Sequence, residues 1–497
     1  MSNSKKHNTI NRRDFIKTSA KAGLAFSIIP SSSIAGLAQN PPSNKLNIAA
    51  IGVGGVGLTN LRNMESENIV AMCDVDWSYA TTAVKRYPRA QRFSDFRKML
   101  DERKDIDAVL VATPDHTHAV AALSAMRAGK HAFVQQPLTH SIYESRILSE
   151  TARQYDLATQ MGNQGASGDG VRSIMEWIWN GVIGEVEEVH VWTNRPLWKQ
   201  PLETPIKSKR IPKDLNWDLF LGPTPFRDYH PTYTPWNWRA WWQFGNGALG
   251  EMGCHLLDPV FNALQLTHPE AVEANSTPFT VDSCPQAQQI TWWFPRRDNL
   301  PKVGMPPVQV NWYDGGLMPK RPQELAPGTP MGKDPNGGIL FVGNKGKIMC
   351  DAYGQNPTLL PEAKMRYFKA PAKQLVRVND AFKGGHERDW IRACKESKDN
   401  RLPSSSDFAI SGVVNETVLL GSIAVRLQSL NKRLFWDGNN MRFTNISPNE
   451  EVKLEQVRSF ELTVGRPHFN QTFERFNALG AIEQWIRPIY RRGWDQI

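Results

Sequence analysis

From Leu46 onward the chain alternates short, wholly apolar runs with amphipathic stretches. "LNIAAI" at 46–51, "NIVAMCDVD" and "IDAVLVATP" at 106–114 read as strands buried on both faces. Helical patterns such as "HAVAALSAMRAGK" separate them, and this alternation predicts a doubly wound parallel sheet. Beyond residue 163 the pattern changes. A helix, "GVRSIMEWIWNGVIG", leads into "VEEVHVWTN", where Val189, Val191 and Thr193 alternate with His190 and Trp192. "ITWWF", "VQVNWY" and "GILFVGNKGKIM" follow as strands rich in β-branched and aromatic residues. The fold class is therefore α/β, and a length of 497 residues favours two domains plus extensions.

The stretch before the first strand reads differently. "NRRDFIKTSAKAGLAF", from Asn11, sets Arg12, Arg13, Phe15 and Lys17 ahead of a weak apolar run that ends at Pro30. Small residues follow, with a cleavage site after Ala38. That order predicts a twin-arginine export signal over 1–38 and a linker over 39–45, hence delivery of the folded protein to the periplasm or cell exterior. The formal net charge is +10, and residues 1–38 carry Lys5, Lys6, Arg12, Arg13, Lys17 and Lys21 against Asp14, so 10 − 5 = +5 remains for the rest. No basic stripe interleaved with aromatics tracks a phosphate backbone, which argues against nucleic acid. No apolar run is expected to be stably inserted in a bilayer. Cys73, Cys254, Cys284, Cys350 and Cys394 show no Cys-x-x-Cys spacing, so they are expected as buried apolar residues, and no metal site is expected.

Candidate chemistry begins where the first strand ends. Gly52, Gly54, Gly55 and Gly57 form a Gly-x-Gly-x-x-Gly turn leading into a helix. Lacking Cβ atoms, such a turn admits a pyrophosphate to the backbone N–H groups at the helix start. The second strand ends at Asp74, whose carboxylate can accept the hydroxyls of a ribose. A carboxylate repels a 2′-phosphate, so NAD is favoured over NADP. A dinucleotide held only by a folded domain gives a reason for export in the folded state.

Three further stretches, "ATPDHTHA", "HAFVQQPLTHS" and "GALGEMGCHLLD", together with the glycine turn, resemble the glucose–fructose oxidoreductase/inositol dehydrogenase (Gfo/Idh/MocA) family of sugar oxidoreductases, over roughly residues 45–430. The resemblance implies a Rossmann domain, here 46–162, and an α/β domain, 163–430, with a large open, mostly antiparallel sheet. The outer face of that sheet is implied to make a homo-oligomer, and the substrate to be a small carbohydrate. It also implies that Thr113, Pro114, Asp115, His118, Gln135 and Pro137 join the glycines around the cofactor. Two departures stand out. The family's Glu-Lys-Pro is Gln135-Gln136-Pro137 here, and an amide at Gln136 can hydrogen-bond but cannot take a proton. Glu251 stands where the family commonly has Asp. Residues 431–497 resemble nothing assignable.

On a helix starting near Gly247, Glu251, His255 and Asp258 share one face. A carboxylate one turn before a histidine can raise its basicity, so His255 is the candidate proton acceptor, supported by Glu251 and Gln136. A helix-packing histidine is the alternative. Trp238 and Arg239, with Asn163, Asn194, Arg195 and Asp258, are candidates to hold a sugar ring. Other tryptophans nearby, Trp236, Trp241 and Trp242, serve equally as core. Three functions compete: oxidation of a sugar or glycoside ring hydroxyl, in the manner of C3 oxidation; a glycosidase using transient C3 oxidation, elimination and re-reduction; and a non-catalytic binding protein with a residual nucleotide site.

Overall fold

The computed structural model describes residues 44–494. The predicted export signal and most of the linker lie outside the described residues, as do residues 495–497.

Six parallel strands form the first sheet: β1 (Asn47–Ile51), β2 (Asn68–Cys73), β3 (Gln91–Phe93), β4 (Ala108–Val111), β5 (His131–Val134) and β6 (Thr159–Met161). Their order is β3-β2-β1-β4-β5-β6, as the apolar runs predict for a doubly wound sheet. The order reverses between β1 and β4, which opens a crevice at their carboxyl ends. Helix His386–Lys395 returns to this domain from far along the chain. Its Trp390 sets its ring edge-on to Phe133 at 5.6 Å, and Met161 N donates to Ser406 O at 2.9 Å.

The second sheet has nine strands. They are β7 (Val186–Thr193), β8 (Ala271–Ser276), β9 (Gln288–Phe294), β10 (Val308–Tyr313), β11 (Gly337–Gly343), β12 (Gly346–Asp351), β13 (Thr358–Leu360), β14 (Leu434–Asp437) and β15 (Arg442–Phe443). The order is β13-β12-β11-β7-β10-β9-β8-β14-β15. Only β7 and β10 pair in parallel. Chain beyond residue 430 therefore belongs to this sheet, since Leu434 and Phe435 pair with Val272 and Ala271.

Helix Phe408–Arg426 packs between the domains. By length and composition it is apolar enough to cross a membrane, but most of it is buried inside the fold. It carries polar groups that the fold satisfies. Asn415 donates to Thr139 Oγ1 at 2.8 Å, and Glu416 pairs with Arg146 at 2.5 Å. Two further strands, β16 (Glu451–Thr463) and β17 (Arg466–Asn477), form a separate hairpin. Helix Ala478–Ile486 follows, and the tail beyond it passes Pro223, whose O accepts from Arg491 N at 2.9 Å, and reaches the first domain, where Trp494 meets Phe96 at 6.0 Å.

Candidate functional site

A cleft enclosing about 1270 Å³ of open space runs from the end of β1 to helix Gly247–Leu264. Its nucleotide end is made by backbone. Gly52 leaves β1 at φ +80°, and a Cβ there would lie 2.5 Å from Ala112 O. A Cβ on Gly57 would lie 2.1 Å from Gly52 O, so only glycine lets the helix Gly55–Asn63 start this close to the strand. Asp74 braces the turn, because Val53 N donates to its Oδ2 at 2.8 Å and Asp76 N to its Oδ1 at 2.9 Å. Burial raises its pKa against the pull of those two donors.

Two aromatic residues flank this end without any motif to announce them. Tyr79 lies against Gly54, with a ring carbon 2.3 Å from where a Cβ would stand. Trp494, from the far end of the chain, lines the rim under the Arg97 guanidinium at 4.2 Å. Gly493 O accepts from Arg97 Nη1 at 3.1 Å and holds the tail in place.

The residues after β4 and β5 divide into two groups. Thr113, Pro114, Gln135 and Gln136 line the cleft, and Thr113 Oγ1 and Gln136 Oε1 are buried without partners. Asp115, His118 and Pro137 stand behind that wall. His118 spans Thr113 O and Pro137 O at 2.8 Å each, tying the two loops together. Asp115 is 2% exposed, accepts from Asn246 Nδ2 at 3.4 Å, and has its pKa pushed well up by burial. Gln135 donates to Asn60 Oδ1 at 2.8 Å, leaving Gln136 as the amide free to meet a ligand.

Helix Gly247–Leu264 forms the other end. Glu251 lines the cleft and directs its carboxylate to Arg239 Nε at 2.7 Å, not to His255. Arg239 is sandwiched between Trp236 and Trp238, at 4.0 and 4.2 Å from their ring centres. This corrects the reading in which Glu251 raises the basicity of His255. Burial instead lowers the His255 pKa to about 3, and its Nδ1 has no partner. Asp258 is fully buried, neither carboxylate oxygen is hydrogen-bonded, and burial lifts its pKa to about 7 against Asn163 and Arg172. Asn163 Nδ2 reaches Cys254 O at 3.3 Å, and its Oδ1 has no partner.

Sequence reasoning missed Tyr353. It follows β12 at φ +61°, a left-handed backbone rare outside glycine, and sets its ring edge-on to His255 at 4.8 Å. Burial raises the pKa of its hydroxyl, with Arg195 pulling it down and Glu251 pushing it up. Tyr353 thus links residues that β7 and helix Gly247–Leu264 deliver separately. Arg195 is itself held by Asn194 Oδ1 at 2.7 Å and Asn336 Oδ1 at 3.0 Å. Trp241 and Trp242 are core, whereas Trp236, 49% exposed, joins Trp238 on the cleft wall. Among the described residues no group of three His, Cys, Asp or Glu side chains could hold a metal ion, and all five cysteines are free and buried.

These residues fit a dinucleotide. The glycine cradle leaves room that Cβ atoms would fill, and orphaned polar atoms on Thr113 and Gln136 await a partner. The nucleotide end carries Asp74, Asp76 and Asp95, with Arg97 at the rim already paired to Asp95 at 2.7 Å, a charge pattern that disfavours a 2′-phosphate.

Two family models match this chain. "Oxidoreductase family, NAD-binding Rossmann fold" matches residues 46–163, and "Oxidoreductase family, C-terminal alpha/beta domain" matches residues 169–297. A "Glycosyl hydrolase family 109 protein" of Shewanella pealeana is 27% identical over 202 residues, covering 36% of this chain and 44% of its own. An "Alpha-N-acetylgalactosaminidase" of Shewanella oneidensis is 27% identical over 207 residues, covering 36% and 45%. The chain therefore spans less than half the length of these curated relatives. Among solved structures, the WlbA dehydrogenase from Bordetella pertussis in complex with NADH and UDP-GlcNAcA aligns with a TM-score of 0.53 at 14% identity, covering 79% of this chain and 99% of its own. GenD2 from gentamicin A biosynthesis, in complex with NAD, aligns at 0.52 with 15% identity, covering 80% and 98%. At such identities these two establish the fold. With both matched domains in order and the glycine turn, Asp74 and the 247–264 helix on one cleft, the chain belongs to the Gfo/Idh/MocA oxidoreductase family and carries its NAD-binding Rossmann domain.

Proposed function

We propose that this chain is an exported NAD(H)-dependent oxidoreductase acting on a ring hydroxyl of a sugar or glycoside, as in oxidation of a glucoside at C3. One observation carries the reading. A single cleft joins the glycine turn and Asp74 to Gln136, Trp236, Trp238, Arg239 and Glu251. The two tryptophans offer faces for the C–H patches of a sugar ring, and the Arg239–Glu251 pair offers hydrogen bonds for its hydroxyls.

NAD, when bound, takes up the hydride that leaves the carbinol carbon. The proton is the chain's task. Gln136 can steady the reacting hydroxyl through Oε1 but cannot accept its proton. His255 is assigned that role. Burial keeps its ring neutral at pH 7, so one ring nitrogen has a lone pair to offer, and edge contact with Tyr353 fixes the ring's plane. Asp258 lies three residues further on the same helix, with its pKa lifted to about 7 by burial. The twin-arginine stretch supports export to the periplasm, and the open face of the nine-stranded sheet supports a homo-oligomer.

A second reading is a glycosidase in which C3 oxidation acidifies the C2 hydrogen, the aglycone is eliminated, water adds and the hydride returns. The names of the family 109 relatives favour it. A third, a non-catalytic binding protein, rests on Gln136 alone and is tested by restoring activity with Gln136→Lys. The deciding experiment denatures purified protein before and after exposure to glucosides without added acceptor, and identifies the released dinucleotide. NAD converted to NADH supports the oxidoreductase. Unchanged NAD with cleaved glycoside supports the glycosidase. A protein that binds no dinucleotide and changes no glycoside overturns both.

A further inference from the structure

A second cavity, with about 1040 Å³ of open space, shares no lining residue with the cleft. Three parts of the chain enclose it: His140 to Glu144 at the start of helix Ile142–Tyr155, the closing turns of helix Phe408–Arg426, and the tail from Gln484 to Tyr490. Asn246 also lines it while donating to Asp115 at 3.4 Å, so the cavity backs onto the wall of the cleft. The reaction proposed for the cleft makes no use of it.

Arg426 ends its helix here and is the one arginine or lysine among the described lining residues. Its guanidinium stacks on Trp485 at 3.6 Å and lies 5.4 Å from the ring centre of Trp242. Stacking occupies the face of the group, whereas its N–H bonds lie in the plane and need acceptors. Among the described residues no carboxylate pairs with it, and its Nε is buried without a partner. Burial draws its pKa down to about 9, and only the Cys284 thiol pulls the other way. One turn earlier on the same helix, Ser422 is 4% exposed, and its Oγ is likewise without a partner.

The other charged groups of the cavity are already committed. Asp282 accepts from Arg227 Nη2 and Thr204 Oγ1 at 2.6 Å each. Glu144 accepts from Ser141 N at 2.8 Å, from His140 N at 3.0 Å and from the Tyr490 hydroxyl. His116 and His140 add no positive charge, since burial lowers their pKa values to about 3 and about 4. One positive charge without a counter-ion therefore stands beside apolar walls made by Val281, Leu419, Ile423 and Trp242.

A desolvated arginine without a counter-ion is costly, and the planar fork of its N–H groups matches the two oxygens of a carboxylate. A dianion such as phosphate would bring a second charge that no group here neutralises, and it would face Glu144 and Asp282. Apolar walls suit a hydrocarbon body. The geometry points to a binding site for a small organic monocarboxylate, its carboxylate on Arg426 and Ser422 and its apolar body against Val281, Leu419, Ile423 and Trp242. This site is independent of the reaction assigned to the cleft.

Titration calorimetry of the purified full chain with benzoate tests it, with inorganic phosphate as a second titrant. The variants are Arg426→Leu, Arg426→Lys and Arg239→Leu, the last removing the arginine of the cleft. Wild type and Arg239→Leu should bind benzoate equally. Arg426→Lys keeps the charge but loses the fork, and should bind about 10-fold more weakly. Arg426→Leu loses both, and should bind roughly 100-fold more weakly. Melting temperature gives a second readout. Benzoate should raise it for the wild type, whereas Arg426→Leu, relieved of a buried unpaired charge, should melt no lower than the wild type and not respond. Absence of saturable benzoate binding would overturn the inference, as would binding abolished by Arg239→Leu and kept by Arg426→Leu. Tighter binding of phosphate than of benzoate would overturn the carboxylate assignment. An Arg426→Leu protein that melts lower, beside a wild type indifferent to benzoate, would make Arg426 a packing residue.

Discussion

The two ends of the cleft are built in opposite ways. At the nucleotide end, shape comes from backbone, and the carboxylate of Asp74 has both oxygens held by neighbouring N–H groups. At the other end, shape comes from side chains on separate elements, and behind the cleft wall His255 Nδ1, Asn163 Oδ1 and both oxygens of Asp258 are buried without hydrogen bonds. Unsatisfied buried polar groups cost stability, on the order of 1–3 kcal/mol each. The glycine turn with Asp74 is a finished part of the fold. The region behind the hydroxyl end holds unsatisfied polar groups, and that difference makes each end fail differently when altered.

The largest effect expected is at the finished end. Gly57→Ala would place a Cβ 2.1 Å from Gly52 O, forcing the helix off the strand. Losing one or two backbone hydrogen bonds to a charged pyrophosphate weakens binding by roughly 100-fold, at about 1.5–3 kcal/mol each. Bound dinucleotide, measured after denaturation, should fall accordingly, and a variant that retains it fully would show the turn to be more plastic than its geometry. At the unfinished end, His255→Asn should leave dinucleotide content unchanged while turnover of the responsive glycoside drops by about 100-fold or more. Equal loss of both would mean that His255 is a packing residue.

Asp258 offers a test by pH. Its folded pKa of about 7 lies above the ordinary 3.8, so the fold prefers the protonated acid. The penalty is absent below about pH 4, grows between 4 and 7, and is complete above 7, where it amounts to at most about 4 kcal/mol. Asp258→Asn should therefore raise the melting temperature at pH 8 and change it little at pH 4. An increase of the same size at both would show that ionisation is not the cause. Glu251→Gln should release Arg239 from its ion pair and raise KM by about tenfold, with kcat less affected. The smallest effect is expected of Trp494→Ala at the rim. Stacking by an aromatic ring is worth about 0.5–1.5 kcal/mol, so dinucleotide should dissociate about 3- to 10-fold faster.

Much of this architecture was legible from short stretches. Gly52 to Gly57 and Asp74 could be read because a tight turn and a strand end are local features, set by a few neighbouring residues. The row Glu251, His255 and Asp258 was legible as a helix face, but its partners were not. Nothing near residue 251 announces that Arg239 will claim its carboxylate from between two tryptophans. Likewise "DAYGQN" gives no hint that Tyr353 will stand against His255. The same limit applies to the chain's closing segments. Trp390 and Trp494 both return to the first domain, and no periodicity marks a helix or tail for a distant sheet.

The sequence by itself determined the alternation of buried strands and helices, the glycine turn, the preference for an unphosphorylated ribose and the shared face of the 247–264 helix. Each follows from backbone geometry or from residue spacing within one element. Only the tertiary structure decided which polar groups find partners and which are left bare. It paired Glu251 with Arg239 and buried His255 and Asp258. Hydrogen bonding, desolvation and surface burial depend on what packs against a residue from elsewhere in the chain, and the residues beside it in sequence do not supply that.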